Sequence, residues 1–521
     1  CANVANLMLG HAASRERELA VRTALGAPGW SLVRQWLIEN VMLGLAGGGV
    51  ALMLAVYGVE LLVAAHPDSV PRLQEIRLDR GVLLLTTLVS VGVGLLIGLP
   101  AAFGGRLRRI GGALRTEGTR TTEGLTAGRF RAGLVVVQVA LALVLLIGAG
   151  LMVRSIARLS AVDPGLNPDN VLTVTVDLPV GTYPDSTPAR IVTFYQQLLE
   201  RLRALPGVRG AGAVTWLPLT GIGAGTSFEI VGRPKPAAGQ EPGAVIRVMD
   251  PQYLATMGIP ILRGRGLSTQ DAANAPPVVL VSAAFARKFW PGHDPVGQHI
   301  KVSWFNPDAE AEIVGVVGDA LVTGLDGDRD PTIYYPLPQS PMSRMSIAIR
   351  TSGSPLALAP AVRATVRQLD PQLPVEDFQP MTRLETASMA DRRYPMFLLT
   401  IFAGLAVLVA AIGVYAVLAF SVEQRTREIG IRMALGAQRQ QVLRLVLRRG
   451  LVLIAAGLAL GTAGGAIASR ALSRLLFRVA PADPLTTACV IVVLLMVSLL
   501  AMYLPARRAI SIEPTTALKH E

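Results

Sequence analysis

At 521 residues the chain has room for several domains, and it is 51% hydrophobic and only 16% charged, with a mean hydropathy of +0.47. A wholly water-soluble protein of this size carries more charge, so the composition argues against an entirely aqueous chain and makes lipid part of its solvent. The net charge of +13 does not point to nucleic acid, because the basic residues cluster beside apolar runs and form no face interleaved with aromatics.

Cys1 and Cys489 are the only cysteines, so no disulfide framework is available and any exported domain must stand on an ordinary core. Cys1 to Leu9 is apolar but too short for a spanning helix or a signal peptide. We read it as the tail of a spanning helix that begins upstream, which makes the sequence a fragment. Next comes Arg15-Glu16-Arg17-Glu18-Leu19-Ala20-Val21-Arg22-Thr23-Ala24-Leu25-Gly26-Ala27. The stretch recurs 410 positions later as Arg425-Thr426-Arg427-Glu428-Ile429-Gly430-Ile431-Arg432-Met433-Ala434-Leu435-Gly436-Ala437. Both copies read R-x-R-E, an aliphatic, a small and a β-branched residue, then R-x-A-L-G-A.

An α-helix needs about 20 mostly apolar residues to cross a bilayer. Leu37–Ala65, Val82–Phe103, Ala132–Val153, Met396–Phe420, Leu451–Ser469 and Leu485–Leu504 meet that requirement, giving six spans. Arginines crowd four segments: 15–34, 106–131, 425–449 and the tail at Arg507 and Arg508. Alternating spans place all four on one side, assigned as cytoplasmic because basic loops stay inside. Arg392, Arg393, Arg470, Arg474 and Arg478 fall on the other side, where long translocated segments are largely exempt from the rule.

The interval 154–394 reads as a soluble α/β domain on the outer side. Val171–Leu178 alternates as a strand does. Thr187-Pro188 opens a helix with a cap residue and proline at its first position, Ile191, Phe194, Tyr195, Leu198 and Leu202 form its apolar stripe, and Pro206-Gly207 ends it. Strands are predicted at Thr226–Val231, Val278–Val281, Ile313–Val317 and Ser346–Arg350, and short helices at Ala283–Phe289 and Leu356–Leu369. Pro and Gly punctuate throughout, so mixed strands with covering helices fit better than a pure sandwich.

The membrane parts match beyond the opening motif. Leu99-Pro100-Ala101 ends one span as Leu504-Pro505-Ala506 ends another, and Ala113-Leu114-Arg115 and Ala517-Leu518-Lys519 follow. Motif, span, short outer loop, span and basic tail recur in the same order, an internal duplication in parallel.

These residues resemble the FtsX-like permease family, the membrane subunits of MacB-type ABC transporters, in its duplicated orphan permease branch. Cys1-Ala2-Asn3-Val4-Ala5-Asn6-Leu7 running into the first motif is similar to the end of a permease unit's second helix. The outer interval is similar to the MacB-like periplasmic core domain. The residues that carry this are Met257-Gly258-Ile259-Pro260 with Arg263-Gly264-Arg265, Phe285–Gly292 with Asp294-Pro295-Val296-Gly297, and Ile313–Asp319.

The resemblance implies an α-helical membrane protein with two FtsX-like units, the first truncated, and a mixed α/β extracytoplasmic domain. Its expected divisions are 1–103 for the first unit, 104–131 for a basic cytoplasmic linker, 132–153 for a spanning helix, 154–394 for the periplasmic domain and 395–521 for the second unit. It further implies a multi-pass protein of the bacterial cytoplasmic membrane that couples a separate ABC ATPase to periplasmic movement for export or lipoprotein handling. The alternative is a non-transporting signalling protein that regulates a periplasmic partner such as a cell-wall hydrolase. The implied ATPase-coupling residues are Arg15, Arg17, Glu18, Arg22 and Gly26, repeated as Arg425, Arg427, Glu428, Arg432 and Gly436. The lipid bilayer is a second partner, and a periplasmic adaptor or other envelope protein is compatible with the same architecture.

The residues read on their own are consistent with this. Glu18 and Arg22, like Glu428 and Arg432, stand four apart in the favourable order, worth about 0.2–0.5 kcal/mol per pair on an isolated helix. No G-x-x-x-x-G-K-[ST] occurs, and Lys235, Lys288, Lys301 and Lys519 lie in no glycine loop, so the nucleotide site is expected in another chain. Gly44/Gly48, Gly94/Gly98 and Gly457/Gly461 form G-x-x-x-G in spans, which admits close packing or the general glycine tolerance of membrane helices. No catalytic constellation, cofactor or metal site is assigned: His293 and His299 beside Asp294 have neither the spacing nor a third ligand. Phe285, Phe289 and Trp290 are helically spaced core residues, and Asp250, Asp319 and Asp370 read as turns or caps.

Overall fold

The computed structural model describes residues 29–65, 79–92, 94–95, 122–184, 186–235, 237, 239–304, 309–424 and 438–510. It divides into two compact units, Ile156–Asp391 on one hand and Cys1–Ser155 with Arg392–Glu521 on the other.

The first of these is the α/β unit. In chain order it contains β1 (Val171–Asp177), α-helix Pro188–Arg203, β2 (Val208–Val214), β3 (Ala224–Ile230), β4 (Gly243–Met249), the short helix Tyr253–Met257, β5 (Ile261–Gly264) and β6 (Val278–Ser282). Helix Ala283–Phe289, β7 (His299–Val302), β8 (Glu310–Val317), β9 (Thr332–Pro336), β10 (Arg344–Thr351), helix Ala359–Leu369, β11 (Gln379–Pro380) and helix Met381–Ala387 follow.

The strands form two linked parts. One has the order β11-β1-β10-β2, with β10 antiparallel to both β1 and β2. Each βαβ half contributes an outer and an inner strand, one half being β1, helix 188–203 and β2, the other β10, helix 359–369 and β11. This is the split βαβ arrangement. The other part lies between β2 and β10 in sequence: β4-β3-β7-β8-β6-β9, closed into a ring because β9 returns to pair parallel with β4, Val245↔Thr332 to Met249↔Pro336. Closure removes edge strands that would otherwise stand open.

One apolar core serves both parts. Leu172, Val174 and Val176 of β1 meet Ile191, Tyr195, Leu198 and Leu202 of helix 188–203 and Val362 and Val366 of helix 359–369, and the cluster continues into Phe228, Ile246, Val279 and Ile313 of the ring. The stripe expected on helix 188–203 is buried at every named position. Thr187 occupies the cap position, but its hydroxyl donates to the Pro184 carbonyl at 3.1 Å instead of capping the helix. Phe285 packs against Phe228, Phe289 and Trp290 with ring centroids 4.9–5.8 Å apart. Of the three aspartates, Asp319 accepts from the Ala284 N–H at 2.5 Å, inside the first turn of helix Ala283–Phe289 some thirty residues upstream, while Asp250 and Asp370 each accept a backbone N–H two residues on.

The second unit is helical. We number its helices α1 (Gly29–Ala65), α2 (Arg80–Gly92), α3 (Thr122–Ser160), α4 (Ala390–Gln424), α5 (Arg439–Ala471) and α6 (Pro484–Ile510). Five carry stretches long and apolar enough to cross a membrane: Leu37–Gly58, Ala132–Ser160, Arg392–Val422, Gly450–Ala471 and Pro484–Arg507. The expected span Val82–Phe103 is described only in part, as the shorter apolar helix α2 and residues 94–95.

Candidate functional site

All ten expected coupling residues, Arg15, Arg17, Glu18, Arg22, Gly26, Arg425, Arg427, Glu428, Arg432 and Gly436, lie outside the described residues. What is described is the machinery they flank: α4 ends at Gln424 and α5 begins at Arg439, with the second motif between them.

Four helices share one core. Val135, Val139, Leu143, Ile147 and Leu151 of α3 pack with Ala410, Val414 and Leu418 of α4, Ile454 of α5, and Leu494 and Met502 of α6. Between membrane helices there is little hydrophobic driving force, so association rests on close van der Waals fit. α5 supplies it with glycines. A Cβ at Gly457 would stand 2.7 Å from Val139 Cβ, and one at Gly461 would stand 2.9 Å from both the Ala140 carbonyl oxygen and Leu143 Cβ. Gly465 faces Ile147 in the same row. The first copy does likewise: a Cβ at Gly44 would meet the Ser90 carbonyl oxygen at 2.5 Å, and one at Gly94 would meet Val41 Cα at 2.8 Å. Of the two readings of G-x-x-x-G, close helix packing is the one realised at Gly44, Gly94, Gly457 and Gly461.

The outer end of this bundle is fastened by polar contacts. Arg154 of α3 pairs through Nη1 with Asp483 Oδ2, and Asp483 caps α6 by accepting the Thr486 N–H at 3.0 Å as well as the Thr486 hydroxyl. The Asp483 backbone carbonyl takes the Thr487 hydroxyl at 2.9 Å. One residue beyond Arg154, Ser155 Oγ accepts the Phe477 N–H at 2.8 Å. The Phe477 ring in turn lies beneath two guanidinium groups, that of Arg392 from α4 at 5.8 Å and that of Arg478 at 5.1 Å. The loop between α5 and α6 is thereby held to α3 and to α4. Hydrogen bonds from Thr486, with Arg154 adding its charge, hold the Asp483 carboxyl below its ordinary pKa against the opposing effect of burial.

Among the described residues no three His, Cys, Asp or Glu side chains converge as metal ligands. What the arrangement offers is continuity. α3 is one helix of 39 residues and α4 one of 35, each well beyond the roughly 20 that a bilayer requires. They are also the two chain connections between the helical and the α/β unit. Sequence reasoning missed the Asp483 clasp, although Asp483-Pro484, an N-cap residue before proline, is a helix-start signal.

The model for the FtsX-like permease C-terminal region matches residues 1–107 and 400–514, and that for the MacB-like periplasmic core domain matches 132–369. Neither is an ATPase domain. The macrolide export ATP-binding/permease protein MacB of Azoarcus sp. (strain BH72) is 29% identical over 275 residues, 50% of this chain and 40% of that protein. The pyoverdine export ATP-binding/permease protein PvdT of Pseudomonas syringae pv. syringae (strain B728a) is 28% identical over 283 residues, 52% of this chain and 42% of that protein. The periplasmic region of MacB from Actinobacillus actinomycetemcomitans, a solved structure, is 12% identical, with 43% of this chain and 93% of that one covered and a TM-score of 0.29. The matches span about two-fifths of the length of these curated relatives. With FtsX-like segments at both ends and a MacB-like periplasmic core domain between them, the chain belongs to the FtsX/MacB-type permeases, membrane proteins of α-helical spans with a mixed α/β periplasmic domain.

Proposed function

We propose that this chain is the permease of a MacB-type ABC exporter in the bacterial cytoplasmic membrane and that it works with an ATPase carried on a separate chain. The two R-x-R-E…A-L-G-A segments, Arg15–Ala27 and Arg425–Ala437, are the ATPase contacts, and Glu18, Arg22, Glu428 and Arg432 are their central charges. ATPase closure shifts the segments, the bundle moves with them, and α3 and α4 carry the motion to the α/β domain, which acts on cargo. The observation that supports this most is the pair of unbroken helices α3 and α4 joined through the α5–α6 outer loop at Arg154, Ser155 and Arg392. The relatives named for macrolide and pyoverdine export favour export over signalling.

The test is a pull-down of the protein from native membranes, with and without Glu18→Lys and Glu428→Lys together. An ABC ATPase is expected with the unmodified chain and is expected to be lost on charge reversal. Recovery of a cell-wall hydrolase or another envelope enzyme with no ATPase would replace this reading with the signalling one.

A further inference from the structure

One buried residue of the periplasmic domain is not explained by the mechanics of the permease. Arg247 on β4 is 2% exposed, yet its Nη1 and Nη2 are buried without a hydrogen-bond partner. The hydroxyl of Tyr253, on the short helix that follows, is buried and unpartnered too. These two side chains account for three of the five such atoms among the described residues.

They share one environment. Along β4 the side chains of Ala244, Ile246 and Val248 enter the main core, leaving Val245, Arg247 and Met249 on the opposite face. In the parallel register Arg247 stands beside Tyr334 of β9, which is buried as well. Burial raises the phenol pKa of both Tyr253 and Tyr334, with the Arg247 charge pulling the other way in each, so both rings stay protonated and lie within reach of that charge. The segments 215–223 and 318–330 roof this face. They are joined by Leu219 N–H to the Leu321 carbonyl at 3.0 Å and Gly221 N–H to the Val322 carbonyl at 3.2 Å, and Val245 and Val322 both abut position 223. Leu219 holds a left-handed backbone at φ 65° in that roof, a conformation that leucine adopts only under local constraint.

A guanidinium taken out of water needs a counter-charge as well as acceptors. The aspartates nearest in the fold are committed elsewhere: Asp319 to the Ala284 N–H and Arg287, and Asp250 to Arg203 and the Gln252 N–H. Water supplies acceptors but no charge, whereas an oxyanion supplies both and fits the planar guanidinium fork with two parallel bonds. We propose that Arg247 and Tyr253 form an oxyanion-binding site inside the periplasmic domain, which takes the carboxylate or phosphate group of a ligand beneath the 215–223 and 318–330 roof. Arg247 gives the bidentate contact, and the Tyr253 hydroxyl donates a third bond.

The test uses the full chain in nanodiscs, titrated with sodium phosphate or sodium acetate against sodium chloride at matched ionic strength. The readout is thermal unfolding of the periplasmic domain. A saturable rise in the midpoint is expected with one of the two probes, and which one responds separates a phosphate from a carboxylate ligand. Arg247→Met fills similar volume without the charge. It is expected to unfold no earlier than the parent chain in chloride and to lose the saturable response. Tyr253→Phe is expected to keep the fold and weaken the apparent affinity about tenfold, the loss of one bond to a charged group. It decides the matter if Arg247→Met does not fold. A flat response in the parent chain, or an equal one in both variants, overturns the site and leaves Arg247 a hydrated core residue.

Discussion

Arg154 and Asp483, 329 positions apart in sequence, form an ion pair at the outer end of the helical bundle. The same Asp483 oxygen accepts the Thr486 N–H that starts α6. One carboxylate therefore ties a helix leading out of the membrane to the first turn of another. Loss of that carboxylate would remove both the ion pair to α3 and the cap on the first turn of α6.

The clasp can be taken apart in two steps. Asp483→Asn keeps a capping side chain and removes the charge, while Asp483→Ala removes both. Losing a cap costs about 1 kcal/mol, or roughly fivefold in local opening. Amide hydrogen exchange in nanodiscs is expected to quicken in the α5–α6 loop for both variants and for Arg154→Met. At Thr486 and Thr487 it is expected to quicken about fivefold more in Asp483→Ala. Equal exchange at these threonines in all three variants would separate the cap from the clasp.

Gly461→Leu is expected to disrupt the bundle. Its added side chain would be driven into Leu143 and the Ala140 carbonyl, where even a Cβ has only 2.9 Å. Overpacking of this kind costs about 1–3 kcal/mol. Gly404 on α4, where an added Cβ would meet nothing within 4 Å, serves as the control, and Gly404→Ala is expected to unfold at the parent temperature. Thermal unfolding in detergent checks both.

Tyr195→Phe tests the α/β core. The fully buried hydroxyl donates toward the Ser343 carbonyl at 2.6 Å and lies 3.1 Å from the Val176 carbonyl, so it joins helix 188–203 to β1 and to the start of β10. Its removal takes away one net hydrogen bond, since the half-buried Ser343 carbonyl keeps the Leu178 N–H at 3.0 Å, at a cost of about 0.5–1.5 kcal/mol. The expected result is a lower unfolding midpoint with unchanged helix content by circular dichroism.

Helix 188–203 was legible in the sequence because Thr187-Pro188 and the stripe from Ile191 to Leu202 are local signals. β2 was not legible. Val208-Arg209-Gly210-Ala211-Gly212-Ala213-Val214 is rich in glycine and alanine, which strand propensity disfavours. It is a strand because its neighbours need it bare: a Cβ at Gly212 would stand 2.5 Å from Tyr253 Cα. The β4–β9 closure joins segments nearly ninety residues apart and leaves no local trace. Arg247 is hidden for another reason, since an arginine in a strand reads as a solvated residue. Five of the six expected spans were legible from apolar composition alone, the span Val82–Phe103 being described only in part, and the repeated motif's ten charged and glycine positions lie outside the described residues.

The Arg265–Asp271 pair makes the stability of the α/β domain depend on pH. Asp271 is buried and accepts four bonds: from Arg265 Nη1 at 2.9 Å and Nη2 at 2.8 Å, from the Ser268 N–H at 2.8 Å and from the Ser268 hydroxyl at 3.3 Å. The Arg265 hydrogen bonds, with help from Ser268, hold its carboxyl below the ordinary value of 3.8. A depressed folded-state pKa contributes stability that is fully present above the unfolded value and lost as pH falls through the folded one. Arg265 is half exposed, so solvent screens part of the ion pair, and the bonds to a charged acceptor are taken at the low end, about 1.5–2 kcal/mol. Asp271→Asn is therefore expected to lower stability by about that amount near neutral pH. The gap between the two chains is expected to narrow only below 3.8, as the parent carboxylate takes up its proton. Urea unfolding followed by tryptophan fluorescence, with Trp290 buried in the same domain, gives the comparison. A gap of equal size on both sides of 3.8 would show that shape, and not charge, holds the Arg265 turn in place.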